Sequence, residues 1–143
     1  PSKSSYVSDG SADVVLGLEA LEVLRALPKV SKRTKVLLSS GQIVPFALAM
    51  KGESYPDRDG ILAKILDATP SLLEPDAPAI AKKTGVPRTL NVAMLGALAS
   101  LDVLPFEGEL LWKAIEKRSP ERFIAVNKKA FDMGKEAISA QMV

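Results

Sequence analysis

The chain has 143 residues, of which 47% are hydrophobic and 25% charged, as expected for one globular domain over residues 1–143. Its net charge of +2 is too small to predict binding to nucleic acid. It contains no Cys and no His, which excludes disulfides, thiolate-held iron–sulfur clusters, the usual zinc sites and His-based triads. We therefore expect no catalytic residue and no metal site in this chain.

The front of the chain predicts a parallel β-α-β unit. Ala12–Leu18 is a short, continuous apolar run typical of a strand buried on both faces, and Thr34–Ser40 is a second such run. Between them, Glu19–Leu27 has leucines on one face and ends just before Pro28, which indicates a helix. Residues 1–10 are polar and lack the apolar stretch of a signal peptide, so we expect a cytoplasmic protein.

The middle of the chain predicts short elements with recognisable ends. Ile43–Pro45 reads as extended chain because a residue before Pro avoids the helical region. Asp57–Asp67 has an amphipathic helical pattern, and Ser71–Glu74 predicts a third, short strand. A further helix is predicted over Asp76–Lys83, with Asp76 as N-cap and Gly85 as C-cap.

Thr89–Leu101 is apolar around its whole circumference, so we expect a central helix that is buried on every side. At this length it is too short to span a membrane, which needs roughly 20 apolar residues. Asn91 is its strongly polar residue, and we expect it to be buried with hydrogen-bond partners. Gly96 costs a helix about 1 kcal/mol relative to Ala, which points to close packing or to a ligand.

Two helices are predicted after the break at Asp102–Pro105. Glu107–Arg118 is amphipathic, and we expect its inward residues to be Leu110, Leu111, Ala114 and Ile115. The last helix runs from Pro120 to about Gln141. The fold class is therefore α/β: a Rossmann-like, three-layer domain with a parallel sheet and a helical C-terminal half. Since two good strands and one short one make a small sheet, we expect further strands from a partner or from a missing N-terminal part.

Four segments in this order resemble one protein family. They are Ala12–Arg25 (ADVVLGLEALEVLR), Tyr55-Pro56, Asn91–Leu98 (NVAMLGAL) and Val126–Gly134 (VNKKAFDMG). The series resembles the gamma-type subunit of 2-oxoacid:ferredoxin oxidoreductases. Leu104-Pro105-Phe106 together with the last segment is most similar to the indolepyruvate branch, where this chain is called the beta subunit. The Gly-rich turn that opens such subunits is absent, so we expect the domain to be incomplete at its N-terminus.

The resemblance implies an oxidoreductase of anaerobic metabolism. Such enzymes oxidatively decarboxylate indolepyruvate, pyruvate or similar 2-oxoacids to acyl-CoA and pass the electrons to ferredoxin. Thiamine diphosphate, the iron–sulfur clusters and CoA belong to the companion subunits or to the complex, and this chain binds none of them. The partners implied are thiamine-binding and ferredoxin-type companion subunits in a heteromeric complex, and the isolated chain is expected to be inactive.

The candidate ligand- or interface-binding residues are Glu19, Glu22, Asn91 and Gly96. Glu19 and Glu22 follow a predicted strand and could line the crevice where α/β proteins bind ligands, or simply be acids suited to a helix start. Asn91 could contact a ligand or a partner's backbone, or make a structural hydrogen bond.

Other, weaker sequence patterns allow both a functional and a purely structural interpretation. Ser39-Ser40-Gly41 after a strand could form an anion nest or a plain turn. The basic residues between the first helix and second strand could meet phosphates or an acidic partner, or be solvated; they are Lys29, Lys32, Arg33 and Lys35. Asp57–Gly60 lacks the spacing of a calcium-binding loop and reads as a helix start.

Two other functions remain open from the residues alone. A dinucleotide-binding α/β domain fits the β-α-β front, but the chain has no Gly-x-Gly-x-x-Gly. A non-enzymatic interaction module without a ligand is the other. We also expect the isolated chain to form a homo-oligomer through the open edge of its small sheet.

Overall fold

The computed structural model describes residues 6–41 and 57–142. In these ranges three parallel strands, six α-helices and one short 3-10 turn follow one another along the chain. The strands are β1 (Val14–Gly17), β2 (Lys35–Leu38) and β3 (Leu72–Leu73). The helices are α1 (Ala20–Ala26), α2 (Arg58–Ala68), α3 (Ala77–Thr84), α4 (Thr89–Ala99), α5 (Gly108–Arg118) and α6 (Glu121–Ser139). The α/β class and the helical C-terminal half are confirmed.

The described residues divide into two compact units. The first holds residues 6–38 and 57–72, and the second holds residues 39–41 and 73–142. The prediction of one domain over residues 1–143 stays a prediction. Two predicted features, the extended Ile43–Pro45 and the Tyr55-Pro56 pair, lie outside the described residues.

The β-α-β front forms as predicted, in the strand order β1-β2-β3. β1 and β2 run parallel, with Val15 opposite Val36 and Gly17 opposite Leu38. The last three residues of β2 are fully buried, whereas Val14, Val15 and Leu16 of β1 are only half buried. The expectation that the first strand is buried on both faces is therefore wrong, because β1 lies at the edge of the described sheet.

The core of the first unit lies where α1 and α2 cover this sheet. Its buried members are Ala20, Val23, Val36, Leu38, Ile61 and Ile65. Gly17 permits the close approach of α1, since a Cβ at this position would lie 2.1 Å from Cγ2 of Val23. Thr69 joins α2 to the sheet by donating its hydroxyl to the carbonyl of Thr34 at 2.7 Å.

The predicted helix ends are confirmed at three places. Asp57 caps α2 by accepting from the backbone N–H groups of Asp59 and Gly60, both at 3.2 Å. Asp76 caps α3 by accepting from the N–H of Ala79 at 3.0 Å. Gly85 ends α3 with φ of 74°, the left-handed conformation that glycine adopts without strain.

The second unit is organised by the contact between α4 and α6. A Cβ on Gly96 would lie 2.0 Å from the carbonyl oxygen of Phe131, and a Cβ on Gly134 would lie 2.0 Å from that of Ala93. Each of the two helices thus has a glycine at the point where the backbone of the other helix makes contact. Phe131, Met94 and Ile138 fill the surrounding core and have exposed fractions of 0%.

The central helix is not buried on every side, so that prediction is wrong. Thr89, Ala93, Met94, Gly96 and Ala97 are buried. Asn91 is exposed, and the apolar residues beside it on the same side are only half buried: Val92, Leu95, Leu98 and Ala99. The outward side of α4 is thus nearly as apolar as the inward side.

Helix α5 packs through a residue that the sequence pattern did not single out. Trp112 is 4% exposed, and its ring centroid lies 5.6 Å from that of Phe131 in a tilted arrangement. Leu110, which was expected to face inward, is 49% exposed, and Ala114 is also exposed. Across residues 6–41 and 57–142, helices long and apolar enough to cross a bilayer are absent.

Candidate functional site

Glu19 lies where β1 leads into α1, at the carboxyl end of the strand. Its Oε1 accepts from the N–H of Leu21 at 3.0 Å, and its Oε2 accepts from the N–H of Glu22 at 3.2 Å. The residue is only 8% exposed. Both carboxylate oxygens therefore serve the first turn of α1, as an N-cap does.

Glu22 lies beside Glu19 but points to solvent. Its carboxylate pairs with Arg25 at 2.5 Å, and both side chains are more than half exposed. A shallow cleft of about 300 Å³ runs past these two acids and is otherwise apolar. The structure thus places Glu19 and Glu22 side by side, but the more buried carboxylate, that of Glu19, caps α1. A ligand-binding role for either residue stays a prediction.

Asn91 and Gly96 lie on different sides of α4. Asn91 is on the outward, half-apolar side, where its amide is open to solvent, and Gly96 is on the inward side against Phe131. The buried amide that the sequence suggested is therefore not present. Gly96 is explained by backbone packing, while a role for Asn91 at an interface stays a prediction.

Two of the basic residues near the start of β2 make contacts that the structure describes. Lys29 donates to Asp9 Oδ1 at 2.7 Å and to Tyr6 Oη at 2.8 Å, and these hydrogen bonds, that to Asp9 first, raise the pKa of Lys29. Lys32 donates to the backbone carbonyl of Asp67. These contacts hold surface segments together, and a role for the basic set in binding phosphates or an acidic partner stays a prediction.

Ser39, directly after β2, is 1% exposed, and its hydroxyl has no hydrogen-bond partner among the described residues. Gly41 lies close against α3, since a Cβ at this position would lie 2.4 Å from Cγ of Pro78. Pro78 belongs to α3, whose N-terminus Asp76 already caps with a negative charge. The N–H of Ser40 donates to the carbonyl of Pro75 at 3.2 Å and is therefore not available to an anion, and an anion nest at Ser39–Gly41 stays a prediction.

A more voluminous cleft lies among described residues for which the sequence predicted no site. It has a volume of about 670 Å³ and follows the link from the end of α4 to the start of α5. Phe106 and Leu110 line it with exposed fractions of 46% and 49%. The sequence indicated a break at Asp102–Pro105 beside this cleft, but the helical pattern predicted that Leu110 faces inward.

The described residues hold no group of three or more His, Cys, Asp or Glu side chains that could bind a metal ion. An iron–sulfur cluster held by thiolates does not fit this chain, because the sequence contains no Cys.

Comparison with known proteins gives a consistent set of relatives. A family model described as pyruvate ferredoxin/flavodoxin oxidoreductase matches residues 1–137. Indolepyruvate oxidoreductase subunit IorB of Methanothermobacter thermautotrophicus is 39% identical over 91% of this chain and 66% of its own length. The subunit IorB of Archaeoglobus fulgidus is 31% identical over 97% of this chain and 70% of its own length. The chain thus spans about two thirds of the length of these relatives.

Solved structures show the same fold. A keto/oxoacid ferredoxin oxidoreductase gamma subunit from Geobacter sulfurreducens aligns with a TM-score of 0.61 at 23% identity, over 93% of this chain and 68% of that one. A 2-oxoglutarate:ferredoxin oxidoreductase from Magnetococcus marinus aligns with a TM-score of 0.62 at 19% identity, over 97% of this chain and 22% of that one. At these identities the likeness concerns the fold alone.

Proposed function

Because the chain belongs to the pyruvate ferredoxin/flavodoxin oxidoreductase family, we propose that it is the non-thiamine subunit of a 2-oxoacid:ferredoxin oxidoreductase. The identity of 39% to an indolepyruvate oxidoreductase subunit over 91% of the chain carries this proposal and favours indolepyruvate among the 2-oxoacids. Family membership itself confirms the resemblance seen in the sequence. The complex would oxidise the 2-oxoacid to an acyl-CoA in the cytoplasm and reduce ferredoxin.

The proposed division of labour follows from the residues. With no Cys and no His, the chain offers neither cluster ligands nor an imidazole base. Thiamine diphosphate and the clusters would therefore be held by companion subunits, and this chain would shape and stabilise the assembly. A dinucleotide-binding function has less support, since the glycine pattern that cradles a pyrophosphate is absent.

Reconstitution tests the proposal. The full-length protein should show no oxidation of 2-oxoacids alone, and methyl viologen reduction with indolepyruvate and CoA should return when a thiamine-binding companion subunit is added. Pyruvate serves as the comparison substrate. Turnover by the protein alone, or a mixture of subunits that neither associates nor turns over, would contradict the proposal.

A further inference from the structure

The described sheet ends on one side at β3, whose outer edge faces away from β2. The carbonyl of Ser71 accepts from the N–H of Val36 at 2.7 Å, and the carbonyl of Pro75 accepts from the N–H of Ser40 at 3.2 Å. The spacing between these bonds is the same along both chains, so the extended phase is kept through this stretch. Because alternate residues of an extended chain direct their backbone groups to opposite edges, Glu74 presents its N–H and its carbonyl to the outer edge.

The side-chain amide of Gln141 occupies this part of the edge. The N–H of Glu74 donates to Oε1 of Gln141 at 3.0 Å, and Nε2 of Gln141 donates to the carbonyl of Glu74 at 3.0 Å. A primary amide carries an acceptor and a donor side by side, so one side chain satisfies both backbone groups of a single extended residue. The amide thus makes the two hydrogen bonds that a neighbouring strand would otherwise make.

The end of α6 holds Gln141 in this position. The N–H of Gln141 donates to the carbonyl of Ile138 at 2.9 Å, and the N–H of Met142 donates to the same carbonyl at 3.1 Å. Ile138 is fully buried, and Glu74 belongs to the same compact unit. The backbone that carries the amide is therefore fixed to a core, which lowers the entropic cost of holding the side chain at the edge.

The edge of β3 has the properties of a strand that another chain could pair with. Leu72 and Leu73 are only half buried, and Leu72 has the same phase as Glu74. An uncovered strand edge beside apolar side chains is a template for association, and proteins commonly protect such edges by covering them. A strand that paired along this edge would need the backbone groups of both Leu72 and Glu74, and the Gln141 amide already uses those of Glu74.

We propose that Gln141 is an edge cap, which closes the β3 side of the sheet to strand addition. Further strands, whether they come from this protein or from another chain, then join the sheet at β1, the other edge of the described sheet. Because the cap is carried by the last turn of α6, displacement of that turn opens the second edge.

Amide exchange and sedimentation velocity of the full-length protein test this proposal. In dilute Gln141→Ala, the N–H of Glu74 should exchange about tenfold faster than in the parent, as measured by NMR, because its acceptor is gone. The N–H of Ser40, which donates to Pro75 on the β2 side, should exchange as in the parent. At higher concentration the variant should sediment faster than the parent, and the N–H of Leu72 should become protected as a strand adds.

Two further variants make the result specific to the amide. Gln141→Met keeps the length of the side chain without its hydrogen-bonding groups and should behave like Gln141→Ala, also where the alanine variant is poorly folded. Met142→Ala is the matched control, since this neighbouring side chain is 60% exposed, and it should behave like the parent. Thermal melts that match the parent identify the folded variants.

The proposal would be overturned if the Glu74 N–H of folded Gln141→Met exchanged as slowly as in the parent, because the amide would then not protect this edge. It would also be overturned if exchange became faster but sedimentation stayed that of the parent at every concentration. Association that leaves the N–H of Leu72 unprotected would contradict it as well, since the new contact would then lie elsewhere.

Discussion

At the scale of single residues, Gly96 and Gly134 set how closely α4 and α6 approach. Each glycine faces a backbone carbonyl of the other helix at a distance that leaves no room for a methyl group. A backbone carbonyl cannot rotate away as a flexible side chain can. A larger residue at either position would therefore force the two helices apart.

We expect Gly96→Ala to lower the free energy of unfolding by about 1–3 kcal/mol or more, as overpacking of a filled core does. The matched control is Gly60→Ala on α2, where the nearest atom to a new Cβ is the carboxylate of Asp57 at 3.3 Å. That change should leave stability unchanged or raise it slightly, since Ala favours helix by about 1 kcal/mol over Gly. Equal denaturant midpoints for both variants would contradict the packing described.

Substitutions of Glu19 and Glu22 should have different effects on the free energy of unfolding. Glu19→Ala removes the acceptor for two backbone N–H groups of α1 and should cost about 0.5–2 kcal/mol. Glu22→Ala removes only an exposed ion pair and should change stability by less than about 0.5 kcal/mol. If Glu19→Gln, folded normally, abolished activity of the reconstituted complex, Glu19 would have a role beyond capping.

At the scale of elements, α5 is held by Trp112 rather than by the leucine expected from the pattern. Trp112 is buried against Phe131, and Leu110 is half exposed. Trp112→Ala should therefore destabilise by about 3–5 kcal/mol, because it leaves a large cavity. Leu110→Ala should change stability by less than about 1 kcal/mol. Circular dichroism melts measure both, and a larger loss at Leu110 would reverse the assignment of the inward face.

At the scale of the whole molecule, the described sheet leaves β1 as an edge strand with half-buried apolar residues. Unpaired backbone groups beside apolar side chains are a template for association. The prediction that further parallel strands lie next to β1 in the full-length protein is untested, as is the homo-oligomer expected of the isolated chain.

We expect the 143-residue chain to self-associate in sedimentation velocity, with a sedimentation coefficient that rises with concentration. Leu16→Lys places a charge on the half-buried edge strand and should shift the population toward monomer. Leu66→Lys, at an exposed position on α2, is the control and should leave association unchanged. A monomer at all concentrations for the parent chain would contradict an edge-mediated oligomer.

The sequence alone was sufficient for features that depend on neighbours along the chain. The caps Asp57 and Asp76 and the terminating Gly85 follow from local hydrogen bonding and backbone preference. The strands and helix of the β-α-β front were predicted from the hydrophobic pattern of each segment. The family was also recognisable, because its segments recur in order.

Tertiary structure decided what periodicity cannot express. In a helix that is apolar on all sides, such as α4, the sequence pattern does not show which side faces the core. The exposure of Asn91 therefore depends on which sides of α4 the neighbouring elements cover. The burial of the Trp112 side chain and the contact of Gly96 with the Phe131 carbonyl likewise depend on the position of α6. These are contacts between residues far apart in sequence, and only packing in three dimensions selects among the faces that the pattern leaves equivalent.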